Sequence, residues 1–143
     1  DLDLGIYAAR FGEFFWDPKL TQLEKIGDKV SLNTEEDLWY TEAGFEKDTD
    51  RGTHLYILPI INPPVTERFL RNRFGQLPAP IRKPIGVTVK IPGGYTKVKA
   101  VYLLENSPYP TVKPLAFKTN KGAVTYEIPE LVIFKVSAVE FAK

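Results

Sequence analysis

Thr53-His54-Leu55-Tyr56-Ile57-Leu58-Pro59-Ile60-Ile61-Asn62-Pro63-Pro64 is apolar on both alternating faces and stops abruptly at its Asn-Pro-Pro end. An excursion over 65–84 follows, and then Ile85-Gly86-Val87-Thr88-Val89-Lys90-Ile91-Pro92 alternates strictly. In the first run Leu55, Ile57 and Ile61 oppose Tyr56, Leu58 and Ile60, the pattern of a central strand covered on both sides. Pro59 cannot donate to a ladder, so it predicts a bulge or an unpaired N–H side. The second run predicts a strand with one buried face.

Working outward, the period stays at two. Val30 and Leu32 open a strand, residues 33–37 turn, and 38–45 predict a second strand with Leu38 and Tyr40 opposite Trp39, Thr41, Ala43 and Phe45. Residues 46–52 read as a polar hairpin loop. Beyond the alternating run, 97–104 returns, 115–118 and 123–128 make a hairpin around 119–122, and 131–141 sets Val132, Phe134, Val136 and Ala138 on one face. Gly122 supplies the positive φ that such a turn demands. About eight short strands with Pro and Gly turns predict a mainly β fold, an antiparallel β-sandwich.

The N-terminal stretch differs. Ile6, Tyr7, Ala9, Phe11, Phe14 and Phe15 recur nearer 3.6 than 2, which predicts a short N-terminal helix ending at Trp16-Asp17-Pro18. The division is then 1–28 as helix and connector and 29–143 as sandwich. The apolar stripe of that helix needs a cover, either the chain's own sheet or a neighbouring domain. A chain that opens at Asp1 and has no Met reads as a piece of a longer polypeptide or a processed form.

Composition narrows the function classes. With 143 residues, 43% hydrophobic and 26% charged, the chain fits one soluble domain. No stretch approaches the ~20 apolar residues of a membrane helix, so no membrane partner is expected. Zero Cys excludes disulfides, thiolate zinc and a Cys nucleophile. Residues 1–50 carry a net charge of −8 and residues 51–143 one of +9, so the two parts attract. Nucleic-acid binding wants basic residues interleaved with stacking aromatics. Lys97, Lys99, Lys113, Lys118 and Lys121 are scattered instead, and no nucleic-acid partner is expected.

Catalytic constellations are missing from the pattern. His54 is the sole histidine and lies inside a strand, without an elbow motif or further imidazoles for a metal. Glycosidic cleavage needs two carboxylates ~5 or ~6.5–9.5 Å apart across a cleft. Glu35, Glu36 and Asp37 are adjacent in a turn, so no such pair stands out. Asp48 and Asp50, alternating with Glu46, have the spacing of calcium ligands, but Lys47 and Arg51 interrupt them and a solvated hairpin tip fits better. Calcium is therefore the one cofactor this sequence brings into question.

Aromatic side chains remain. Pyranose rings present apolar C–H faces that stack on Trp and Tyr. Trp39, Tyr95 and Tyr109 are the candidate glycan contacts, each with core or loop packing as its alternative. Arg71 and Arg73, in an excursion that mixes Arg with Phe and Leu, serve to cover an edge, dock a partner or touch ligand.

Three segments point to a family: Ile6-Tyr7-Ala8-Ala9-Arg10-Phe11-Gly12-Glu13-Phe14-Phe15-Trp16-Asp17-Pro18-Lys19-Leu20; Leu38-Trp39-Tyr40; and Tyr56-Ile57-Leu58-Pro59-Ile60-Ile61-Asn62-Pro63-Pro64. Together they resemble the C-terminal β-sandwich region of dextranase-type glycoside hydrolases, the family of dextranases and cycloisomaltooligosaccharide glucanotransferases. The resemblance implies a non-catalytic accessory domain, carbohydrate-binding-module-like, on a bacterial polysaccharide-active enzyme. Residues 1–20 would be the exit helix of the catalytic barrel. The implied partners are a glycan and the adjacent catalytic domain, in an extracellular or periplasmic setting. The family's nucleophile and acid lie in the barrel, and no position here matches them. A structural, protein-docking domain without glycan affinity is the alternative.

Overall fold

A computed structural model of the chain describes residues 19–41, 43–63, 79–105 and 111–143. The expected helix over 4–16, Tyr109, Arg71 and Arg73 lie outside them. Among the described residues ten strands form two antiparallel sheets, a β-sandwich as the alternation predicted. The six-stranded sheet has the order β1 (Thr21–Gln22), β3 (Phe45–Asp48), β4 (His54–Ile61), β10 (Phe134–Ala142), β6 (Lys97–Glu105), β7 (Thr111–Pro114). The four-stranded sheet has the order β2 (Val30–Asn33), β5 (Ile85–Lys90), β9 (Ala123–Ile128), β8 (Phe117–Asn120). A single turn of helix, α1 (Ile26–Lys29), precedes β2. None of the described helices is long and apolar enough to cross a membrane.

The chain joins the sandwich early. Thr21 and Gln22 pair with Glu46 and Phe45, and Leu23 and Ile26 are buried in the core. Between the sheets, Tyr56, Leu58, Ile60, Val101, Leu103, Val139 and Phe141 pack against Val30, Ile85, Val87, Val89, Val124, Tyr126 and Ile128. Each such side chain contributes roughly 1.5–3 kcal/mol by leaving water, so this layer dominates the stability of the fold.

Residues 38–45 depart from the expected strand. Leu38 is buried and Trp39, on the opposite face, is exposed, and the described residues before Phe45 pair only through one bridge from Trp39 to Ile61. The regular strand starts only at Phe45 and runs through what was read as loop. A Cβ at Gly44 would meet Ile26 Cδ1 at 2.9 Å, so the backbone there lies against the core rather than extending along β4.

That gap accounts for Pro59. Ile61 exchanges both backbone hydrogen bonds with Trp39, at 2.9 Å each, so the odd residues of β4 point their N–H toward this side. β3 pairs β4 only from His54 to Ile57. Pro59 therefore falls between the last β3 partner and the Trp39 bridge, where no N–H is wanted, while it keeps its place opposite Val136 of β10.

The two outer faces are chemically opposite. On the four-stranded sheet, Ser31, Thr88, Thr125 and Lys118 stand opposite one another in a polar row. On the six-stranded sheet three rows are largely apolar, Phe45, Ile57, Ala138, Tyr102 and Pro114, then Pro59, Val136, Leu104 and Val112, then Trp39, Ile61 and Phe134, while a row of Lys47, Leu55, Glu140 and Ala100 at the far end carries charge. Ile57 and Ala138 are fully buried there, with Leu20, Phe45, Tyr102 and Val112 packed around them. β4 is thus covered on both faces, as its sequence demanded.

Candidate functional site

At one end of β4, the β3–β4 register sets Asp48 directly opposite His54. His54 Nδ1 is 2.7 Å from Asp48 Oδ1 and Nε2 is 2.9 Å from Glu46 Oε1. Only a doubly protonated imidazole donates to both carboxylates at once. Tyr95, from the β5–β6 turn, stacks on the ring at 5.4 Å and donates its hydroxyl to Asp48 Oδ1 at 3.3 Å. The hydrogen bond from His54 holds the Asp48 carboxyl below its ordinary 3.8. Because both ring nitrogens face carboxylates, neither is open to take a proton from a nucleophile, and the cluster works as a clasp.

The candidate calcium ligands are engaged elsewhere. Asp48 belongs to this clasp, and Asp50 lies 3.5 Å from Lys19 Nζ, both side chains being largely exposed. Among the described residues no group of three or more His, Cys, Asp or Glu side chains converges to hold a metal ion.

At the other end of β4, Trp39 is 43% exposed beside Ile61 and Phe134. Trp39 and Tyr95 therefore sit roughly 20 Å apart along an eight-residue strand. The structure does not gather them into one site. Nearby, Arg82 pairs with Glu130 at 2.7 Å, and a polar notch of ≈ 220 Å³ opens between Asn33, Thr34, Glu35, Glu36 and Lys83.

A larger cleft, of ≈ 540 Å³, lies where the chain crosses between sheets. β7 edges one sheet and β8 the other, and Leu115-Ala116 joins them, with Leu115 N–H donating to Val101 O at 2.8 Å. β8 begins at Phe117, opposite Tyr126, whereas β9 runs on to Ile128, so the edge of β9 is uncovered at Glu127. Leu115, Ala116, Phe117 and Tyr126 supply apolar walls, and Lys118, Thr125 and Glu127 supply polar groups. The volume falls in the range of about 300–1,000 Å³ that ligand sites occupy. Phe117 and Tyr126 are cross-strand partners on the core side of the sheet, and Lys118, Thr125 and Glu127 stand on its outer side, so the cleft wraps the open edge with an apolar inner wall and a polar outer rim. The alternation of 123–128 places these residues, but the cleft itself arises where the edge strand β8 and its inner neighbour β9 end out of step.

No protein-family model and no curated protein sequence matches this chain. Solved structures do. A cycloisomaltooligosaccharide glucanotransferase of Paenibacillus sp., solved with cycloisomaltoheptaose, matches with a TM-score of 0.66 and 16% identity over 92% of this chain and 19% of its own. The α-L-fucosidase isoenzyme 2 of Paenibacillus thiaminolyticus matches with a TM-score of 0.53 and 19% identity over 80% of this chain and 16% of its own. The chain thus spans less than a fifth of the length of either enzyme, and shares with each the fold of that part.

Proposed function

We propose that this chain is a non-catalytic β-sandwich accessory domain of a polysaccharide-active enzyme, and that it touches glycan in the cleft between β7, β8 and β9. The observation that carries the reading is the recurrence of this sandwich as a 19% portion of a glucanotransferase. The chemistry of the cleft agrees with it. Among the described residues Glu127 is its single lining carboxylate, whereas glycosidic cleavage uses two. Phe117 offers a ring on the core side of the β8 edge, and Lys118, Thr125 and Glu127 offer polar groups for hydroxyls on its outer side.

Affinity gel electrophoresis on dextran, starch, xylan and β-glucan tests the binding. At least one polymer retards the wild-type chain, and Phe117→Ala with Glu127→Ala abolishes the retardation. No retardation by any of the four removes the glycan half of the proposal, and turnover by the isolated chain overturns the non-catalytic half. A second reading, a protein-docking domain, is favoured by the exposed apolar side chains of Trp39, Val132, Ile133 and Phe134.

A further inference from the structure

We infer that the row Trp39, Ile61 and Phe134, with Val132 and Ile133 beside it, is the docking surface for a folded protein domain of the same polypeptide. This rests on the reading of the chain as one domain of a larger enzyme. Exposure is the starting point: Trp39 is 43% exposed, Val132 39%, Ile133 45% and Phe134 57%, while most large apolar side chains of the described residues are buried. Ile61 pairs with Phe134 across β4 and β10 and with Trp39 through an isolated bridge, so the three side chains leave the same face of the sheet. A contiguous apolar patch of this kind marks a contact surface in a soluble protein.

The occupant follows from the chemistry of the patch and its surroundings. None of the five side chains carries a carboxylate, amide, hydroxyl or ammonium group. Next to the row, Asn62 is turned inward: its Nδ2 donates to Ala79 O at 3.0 Å and Val132 O at 3.1 Å, and its backbone N–H donates to Ile133 O at 2.8 Å. A sugar would meet rings and aliphatic groups without the hydrogen bonds that fix its hydroxyls. An apolar protein surface meets what it needs, an aromatic pair in an aliphatic setting. The row is also continuous with the buried apolar rows of the same face, where Pro59, Val136 and Leu104 come next. The outer face of the four-stranded sheet, with its hydroxyl row, lacks that character. A domain on the same chain, as in the larger enzymes that carry this fold, meets the row at high effective concentration.

The test compares the whole polypeptide that contains this chain with the 143-residue chain alone. Trp39→Asp with Phe134→Asp is expected to split or lower the sandwich's thermal transition in the whole polypeptide by about 4 °C or more. The isolated chain keeps its Tm, and Phe134→Leu, which stays apolar, restores the coupled transition. Four results overturn the inference. The first is an equal loss of Tm in the isolated chain, which would make the row part of its own packing. The second is no change in the whole polypeptide. The third is a concentration-dependent dimer of the isolated chain that the double variant dissolves, making a second copy the occupant. The fourth is loss of glycan retardation by the double variant, making the row a sugar platform. Failure of the glycan assay on the cleft variants leaves this row untouched, so the two proposals fail separately.

Discussion

Tyr126 of β9 and Ser137 of β10 face each other across the sandwich and share a hydrogen bond of 2.7 Å between buried hydroxyls. Burial pushes the Tyr126 phenol well above its ordinary range, and the Ser137 hydroxyl partly offsets that push. This contact ties the two sheets by a directional bond within an otherwise apolar layer. Removing either hydroxyl orphans the other at a cost of about 1–3 kcal/mol. Tyr126→Phe and Ser137→Ala should each lower stability by about that much in urea unfolding, and the double variant by clearly less than their sum. Strict additivity would show that the hydroxyls act independently.

Glu140 is buried on the outer face of the six-stranded sheet, where Thr53 Oγ1 donates to its Oε2 at 2.5 Å. Arg51 Nε reaches the same oxygen at 3.4 Å, Lys99 Nζ lies at 4.0 Å, and Tyr102 donates to Oε1 at 3.5 Å. The carboxylate thereby binds the β3–β4 turn to β10. Arg51 and Lys99 are about half exposed and can rehydrate, so breaking the group costs less than stranding a fully buried ion. Glu140→Ala should cost about 2–3 kcal/mol in chemical unfolding, Thr53 Oγ1 losing its charged acceptor and keeping its 2.6 Å hydrogen bond with Thr49 Oγ1. Arg51→Ala should cost about 0–1 kcal/mol, since the hydroxyl donor remains. The reverse order would mean that the ion pair outweighs the hydroxyl.

The clasp at His54 makes acid stability depend on Asp48. Its carboxyl is held below 3.8 by the His54 hydrogen bond, opposed by burial and helped by the charge of His54, the Tyr95 hydroxyl and the charge of Lys143. A depressed carboxyl binds fewer protons folded than unfolded. Its stabilisation is therefore present above the ordinary aspartate range and lost as pH falls through the folded value. The Asp48 side chain is 78% exposed, so screening keeps the effect small. Plots of Tm against pH for wild type and Asp48→Asn should separate near neutrality and converge in acid. Parallel curves down to the acid limit would remove Asp48 from the acid response.

The sandwich was legible where one residue's environment decided its neighbours. Val87 and Val89, alternating with Gly86 and Thr88, could only be a strand with one buried face, and the structure buries both valines completely. Pro59 announced an unpaired side, which the gap between β3 and Trp39 supplies. What stayed hidden depended on register or on distant ends. Glu46 and Asp48 reach His54 because the strand begins at Phe45, a start fixed by Gly44 lying against Ile26. The four residues of α1 are too few to show a helical period. The exposure of Phe134 was equally hidden, because Phe134, Val136 and Ala138 share a face on which only the last two are covered. The cleft has no local signature, since it forms where β8 starts later than β9 ends.

The β8–β9 turn offers a change that should raise stability. Lys121 has φ 50° and Gly122 φ 78°, the two left-handed positions of a tight two-residue hairpin loop. Gly122 meets this demand without a Cβ, whereas Lys121 holds a conformation that costs an L side chain roughly 1 kcal/mol. Lys121 is exposed, so its replacement removes no packing. Lys121→Asn, which keeps a side chain but tolerates the left-handed region, should raise stability by several tenths of a kcal/mol in urea unfolding. Gly122→Ala should lower it by about 1 kcal/mol, although a Cβ there would have no atom within 4 Å to clash with. The loss would then come from backbone conformation alone. If Gly122→Ala leaves the unfolding midpoint unchanged, the turn does not hold Gly122 in the left-handed region in solution.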